Sequence, residues 1–175
     1  MPKFLKHSFV FLLIIGCNLN ESVNKDLEDC VNSNCESSDN CTSFFDYNIS
    51  IQSAAYFFKF VTINEELIDN ADWVGAFNGD ICVGARQWDT SNCGSGVCDL
   101  PIMGEDGNEL TEGYMQFGDI PTFKIYDVSE GKIYNANIKN LEGLIMDSPM
   151  WQNMATPISD SLVAIPETIF DCINY

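Results

Sequence analysis

Eight cysteines, 26 carboxylates, three tryptophans, one arginine and one histidine are the side chains that could carry chemistry in this 175-residue chain. The histidine is His7, and it lies in an N-terminal run that reads as removed on export. Without it the chain has no imidazole for a Ser-His-Asp or Cys-His triad, for a His-bearing zinc site or for a general base. Carboxylates alone suffice for a glycosidase, which needs an acid and a base or nucleophile at a fixed separation. With 26 of them, no spacing singles out a pair. The chain beyond residue 17 is also small for a walled cleft. A small carboxylate-dependent hydrolase is therefore an alternative, and the favoured expectation is that the protein is not an enzyme.

The acidic run from Asp99 to Glu112 contains Asp106-Gly107-Asn108-Glu109, oxygen-rich and turned by glycine. Calcium takes six to eight oxygens, and an EF-hand needs D-x-[DN]-x-[DN]-G with a glutamate at position twelve. That pattern is absent. Asp106, Asn108 and Glu109 are the candidate calcium ligands, with Asp80, Asp99, Asp119 and Asp127 as further carboxylates that could converge. A solvated acidic loop with no cofactor is the favoured reading. Trp73 sits in a strand pattern and belongs in a core. Trp88 follows Gln87 at a strand end beside Asp89 and is the tryptophan expected at the surface. Arg86, the sole arginine, reads first as an ion-pair partner. Arg86 and Trp88 together are the candidate ligand-binding residues.

The cysteines point to an oxidising compartment. Met1 to Cys17 opens with Lys3 and Lys6, continues through an apolar run from Phe9 to Ile15 and ends Leu13-Ile14-Ile15-Gly16-Cys17. The run is a signal-peptide h-region, far short of the ~18 residues that span a bilayer. The ending resembles a bacterial lipobox, which implies acylation of the Cys17 thiol and cleavage just before it. The other reading is an ordinary secretory signal cut a few residues later. Asn18, not Asp, follows; by resemblance to enteric lipoproteins this does not specify inner-membrane retention. A multiply acylated cysteine anchors stably without a transmembrane helix.

Seven cysteines then remain. Cys93 and Cys98 flank Gly94-Ser95-Gly96-Val97, a flexible loop that lets them pair. Cys82 lies in a strand pattern and reads as a buried free thiol. Cys30, Cys35 and Cys41 have four and five intervening residues and no histidine to complete a zinc set. A disulfide among them, or from Cys41 to Cys172, fits better.

Residues 18–52 hold seven Asn, seven acidic residues and one Lys. Such a composition buries too little apolar surface to offset its ordering entropy. It reads as an acidic, cysteine-containing tether between the signal peptide at 1–17 and a domain at 53–175. Within that domain, Tyr56 to Ile63 is aromatic and β-branched, as strands are. Trp73 to Phe77 and Asp80 to Arg86 flank Asn78-Gly79, which predicts a type I′ hairpin turn. Phe123 and Ile125 share one face of the alternating run Thr122 to Asp127, and Ser129-Glu130-Gly131 turns that run back on itself. Glu65 to Asn70 has room for a single helical turn. Short strands punctuated by Gly and Asn indicate an all-β fold, a single antiparallel β-sandwich of immunoglobulin-like or jelly-roll-like kind, or a partly open barrel.

Asp72 to Trp88, with its VGAF-x-G-x-C-x-G core, followed by Gly118-Asp119 and Thr122-Phe123-Lys124-Ile125-Tyr126-Asp127, resembles a β-sandwich module of secreted proteins from marine and Bacteroidetes-like bacteria. The resemblance spans roughly Ser53 to Ile165. It implies an extracellular accessory or surface module and carries no catalytic residues. The formal charge of −18 excludes the basic footprint of a nucleic-acid binder and disfavours charge-driven binding to an anionic membrane. The sequence thus predicts an exported, lipid-anchored binding or adhesion module. Its place is the outer membrane or cell surface, its anchor the lipid at Cys17, its ligand an extracellular glycan or protein. A structural lipoprotein subunit of an envelope complex is a further alternative.

Overall fold

The computed structural model describes residues 42–165. The expectations placed on Cys17, Cys30, Cys35, Cys41 and Cys172 lie outside these residues. Nine strands carry the fold: β1 (Ser53–Ile63), β2 (Glu66–Leu67), β3 (Trp73–Asn78), β4 (Ile81–Gln87), β5 (Cys98–Met103), β6 (Thr122–Asp127), β7 (Lys132–Lys139), β8 (Ile145–Met146) and β9 (Ile158–Ala164). The class is all-β, as the sequence predicts. Helical structure among the described residues is confined to short turns, and none is long and apolar enough to cross a membrane.

The strands form one continuous mixed sheet, in the order β2-β1-β9-β7-β6-β3-β4, with β5 beside β1 and β8 beside β7. Every ladder is antiparallel except β1 with β9. The sheet curls until its two ends meet. A Cβ on Gly84 of β4 would lie 1.7 Å from the Pro101 carbonyl oxygen of β5, so only glycine admits that backbone. Pro101 itself fits β5 because no ladder joins β5 to β4, and the missing N–H has no ladder partner on that edge.

Alternation sends Tyr56, Phe58, Val74, Ala76, Leu100, Ile102, Phe123, Ile125, Ile138 and Leu162 into the main core. Phe58 meets Phe123 edge to face at 5.4 Å. Trp151 donates its indole N–H to the Ile102 carbonyl at 3.0 Å and lies against Gly104, where a Cβ would come within 2.3 Å of its ring. A bulge at Ala76/Phe77 adds one residue to β4. It sends Val83 to the main core while Cys82 faces a second cluster with Phe77, Ala85 and Tyr126.

That second cluster corrects the domain boundary expected at residue 53. Ser43–Phe45 form a single 3₁₀ turn, and Phe45 is buried among Phe77, Cys82, Ala85 and Tyr126. The end of the expected tether is therefore part of the fold. Its two phenylalanines supply the apolar area that the Asn-rich run before them lacks.

Two turns also differ from expectation. The β3–β4 hairpin turns at Gly79-Asp80, not at Asn78-Gly79. Gly79 has φ +60° and neither neighbour is positive, the pattern of type II′ with glycine first. Asn78 ends β3 and donates its side-chain amide to the Gly113 carbonyl at 3.0 Å. The type I′ pattern appears at Asn64-Glu65, with φ +51° and +68°. There it pairs Ile63 with Glu66 and makes Glu66–Leu67 a strand rather than a helical turn.

Candidate functional site

β7 is flanked on one edge by two strands that do not meet. β6 pairs with it as far as Phe123↔Ala136, and β8 pairs with it from Met146↔Ile138. Asn137 lies between. Two local devices hold the flanking strands apart. Asn140 turns β7 into β8: its side-chain oxygen accepts from Glu142 N at 3.0 Å and Leu144 N at 2.9 Å. Before β6, Gly118 N donates to the Trp151 carbonyl at 3.0 Å and Trp151 N to the Asp119 carbonyl at 2.7 Å. Ile120 and Pro121 leave that clamp on the rim.

The resulting cleft encloses about 410 Å³, within the size range of ligand sites. Ile120, Ile145 and Met146 line it and remain 55%, 55% and 47% exposed. Thr122, Lys124, Asn135, Asn137, Asp147 and Ser148 supply its polar lining. Lys124 is partly engaged. Its ammonium lies 3.3 Å from Asn135 Oδ1 and 5.5 Å from the Phe77 ring centroid. The side chains of Asn137 and Asp147 have no hydrogen-bond or ionic partner among the described residues. The cleft thus offers apolar contact at its rim, an amide that donates and accepts, and one carboxylate.

The residues singled out from the sequence lie elsewhere. Trp88, expected at the surface as a ligand platform, is 4% exposed and packs against Phe58 with centroids 6.3 Å apart. Its backbone N–H donates to the Asp72 carbonyl at 2.7 Å, which draws the strand end inward. Trp151 is buried and Trp73 partly so, so the tryptophans form no exposed platform. Arg86 makes an ion pair with the Asp99 carboxylate and also donates to the Asp99 carbonyl at 3.1 Å. It fastens β4 to β5 where no ladder does. Cys93 and Cys98 are disulfide-bonded, with Cα atoms 4.9 Å apart. Cys82 is free and buried, and burial pushes its thiol up to about 11.

Asp106, Asn108 and Glu109 form a loop that caps itself. Asp106 accepts from Thr111 Oγ1 at 2.7 Å, Asn108 N at 3.0 Å and Ile51 N at 3.1 Å. Asn108 Oδ1 accepts from Leu110 N at 3.0 Å, and Glu109 lies in the short 3₁₀ turn that follows. Among the described residues, no three His, Cys, Asp or Glu side chains are arranged to hold a metal ion. A second concavity of about 300 Å³ is lined by Glu66, Asp69, Asp72, Asp127 and Glu130. Several of its carboxylates have internal partners. Buried Asp72 accepts from Asp69 N at 2.8 Å and Val128 N at 2.9 Å, and burial raises its carboxyl above the ordinary value. Glu130 accepts from Lys132 Nζ at 2.9 Å and Tyr134 Oη at 2.8 Å.

The apolar rim of the cleft escapes sequence reasoning because β8 is two residues long and shows no alternation. The one available signal is the run Leu144-Ile145-Met146 in an otherwise polar connection. No protein-family model, curated protein or solved structure matches this chain.

Proposed function

We propose that the chain is an exported, lipid-anchored cell-surface module that binds an extracellular glycan or protein ligand, in adhesion or capture, and does so without catalysis. The cleft between β6 and β8 is its binding site. The supporting observation is the convergence of Ile120, Ile145 and Met146 on one concavity, each left about half exposed. Exposed apolar side chains scattered singly are ordinary. Clustered in a concave surface with free polar groups beside them, they mark a site that a ligand covers. The disulfide between Cys93 and Cys98 is consistent with an oxidising compartment.

Two measurements test the two halves of this reading. Cys17→Ser moves the protein from the membrane to the soluble fraction and removes the acyl mass; if it still partitions with membranes, the anchor is wrong. For the site, full-length protein is probed on an array of extracellular polysaccharides and surface proteins. The double variant Ile145→Asp, Met146→Asp should melt like wild type, since both side chains are exposed, and bind its array ligand at least about tenfold more weakly. Equal binding by the two proteins removes the cleft from the proposal.

A further inference from the structure

β8 is paired along one edge. The Asn140 amide donates to the Leu144 carbonyl at 3.0 Å across the turn that enters the strand. Along an antiparallel ladder, hydrogen-bonded and non-hydrogen-bonded pairs alternate. Lys139↔Ile145 is therefore a non-bonded pair, and Ile138↔Met146 exchanges both backbone bonds. The N–H and C=O groups of Ile145 and Asp147 consequently point off the other edge of β8, away from β7. Among the described residues no strand pairs with that edge, and the backbone of neither residue has a hydrogen-bond partner.

The unpaired edge borders the cleft, which Ile145, Met146 and Asp147 line together with Gly79, Ile120 and Pro121. The cation of the lining, Lys124, is turned to Asn135 Oδ1 at 3.3 Å and lies over the Phe44 and Phe77 rings at 5.7 and 5.5 Å. The Asp147 carboxylate is exposed and has no cationic partner among the described residues. Backbone donors and acceptors set at strand spacing match a second backbone. The carboxylate beside them matches a cation, and half-exposed Ile145 matches an aliphatic side chain.

We propose, on the reading that this cleft is the binding site, that its ligand is an extended peptide segment that adds to β8 as an antiparallel strand. In strand addition, main-chain bonds supply affinity and the side chains alongside supply selection. The antiparallel sense continues the ladders that β7 makes with β6 and β8 and pairs better per residue than the parallel one. Residues directly opposite in a ladder share a face, so the register selects a short pattern: Lys or Arg opposite Asp147, then any residue opposite Met146, then an aliphatic residue opposite Ile145. The formal charge of −18 draws such a cationic segment in and opposes a second copy of this chain at the same edge.

The test titrates full-length protein into the peptide fluoresceinyl-Gly-Thr-Lys-Thr-Ile-Thr-amide, read by anisotropy. Wild type should bind it with a Kd below about 1 mM. N-methylation of the Lys or the Ile amide, both of which face β8, should weaken binding about tenfold or more. N-methylation of the Thr between them, whose N–H points away, should change it by less than about threefold. Asp147→Lys should weaken this peptide about fivefold or more and strengthen the peptide with Glu in place of Lys. In amide exchange, Met146 should be protected in the free protein, and Ile145 and Asp147 should gain protection when the peptide is added. No binding by wild type, equal loss from N-methylation at all three positions, or binding that survives Ile145→Asp, Met146→Asp overturns strand addition. The reading of the cleft itself fails by a different result, an array ligand that the double variant still binds as wild type does. An array ligand lost in the double variant, with no binding of the peptide by wild type, keeps the cleft and removes the strand.

Discussion

Asp106 is only partly buried, yet its carboxylate is held near pKa 2 by hydrogen bonds from Thr111, Ile51 and Asn108. Those partners join the loop to the segment that leads into β1. A carboxylate whose folded pKa lies below its unfolded value stabilises the fold above the unfolded value, ~3.9, and loses that contribution as pH falls towards the folded one. Asp106→Asn should therefore melt below wild type at pH 7, and the gap should close between about pH 4 and pH 2. Thermal melts across that range check it; a gap that stays constant with pH would show that the carboxylate's charge is not what matters. At this scale the sequence was partly legible. The Cys93–Cys98 disulfide and the Arg86 ion pair follow from a short loop and from a sole arginine among many carboxylates. The burial of Trp88 does not, because it depends on Phe58, thirty residues earlier, crossing beneath it.

Two glycines of one strand pair separate what an element needs locally from what its neighbours impose. Gly79 needs its positive φ, and a Cβ there would meet nothing within 4 Å. Gly84 has no positive φ, yet a Cβ there would meet the backbone of Pro101 at 1.7 Å. Gly79→Ala should lower stability by about 1–2 kcal/mol, the cost of a left-handed conformation for an L residue. Gly84→Ala should lower it by about 3 kcal/mol or more, because a carbonyl must move and take the β4–β5 closure with it. Urea melts of the two variants check the order; a milder effect at Gly84 would mean that the sheet is not closed there. The Gly79 hairpin was visible in the sequence, though displaced by one residue, because both Asn and Gly favour turns and only pairing with β4 selects between them. The role of Gly84 was not visible, since its partner lies in another strand.

Across the whole molecule, acidic residues outnumber basic ones by 26 to 8, and the described residues contain three ion pairs. Most of the acidic charge is uncompensated and repels itself. The Debye length falls from about 30 Å at 0.01 M salt to about 3 Å at 1 M. Tm should rise by several degrees over that range in sodium chloride; a Tm that stays flat or falls would mean that short-range pairs, not net repulsion, dominate. The same excess of charge opposes self-association through the exposed apolar rim of the cleft, most strongly at low salt.

What the sequence determined by itself is whatever rests on neighbours along the chain. The all-β class follows from strand alternation, the β6–β7 hairpin from its Gly-bearing turn, the local disulfide from a four-residue loop, and the absence of a basic nucleic-acid footprint from composition. The tertiary structure alone decided what rests on residues far apart. It made one curled sheet with a parallel β1–β9 pair, and it drew Phe45 out of an Asn-rich run onto Gly75. It buried Trp88 against Phe58 and opened a cleft where β6 and β8 part over Asn137. The physical reason is that backbone propensity and turn chemistry act over a few residues, whereas burial is shared between surfaces that only the completed fold brings together.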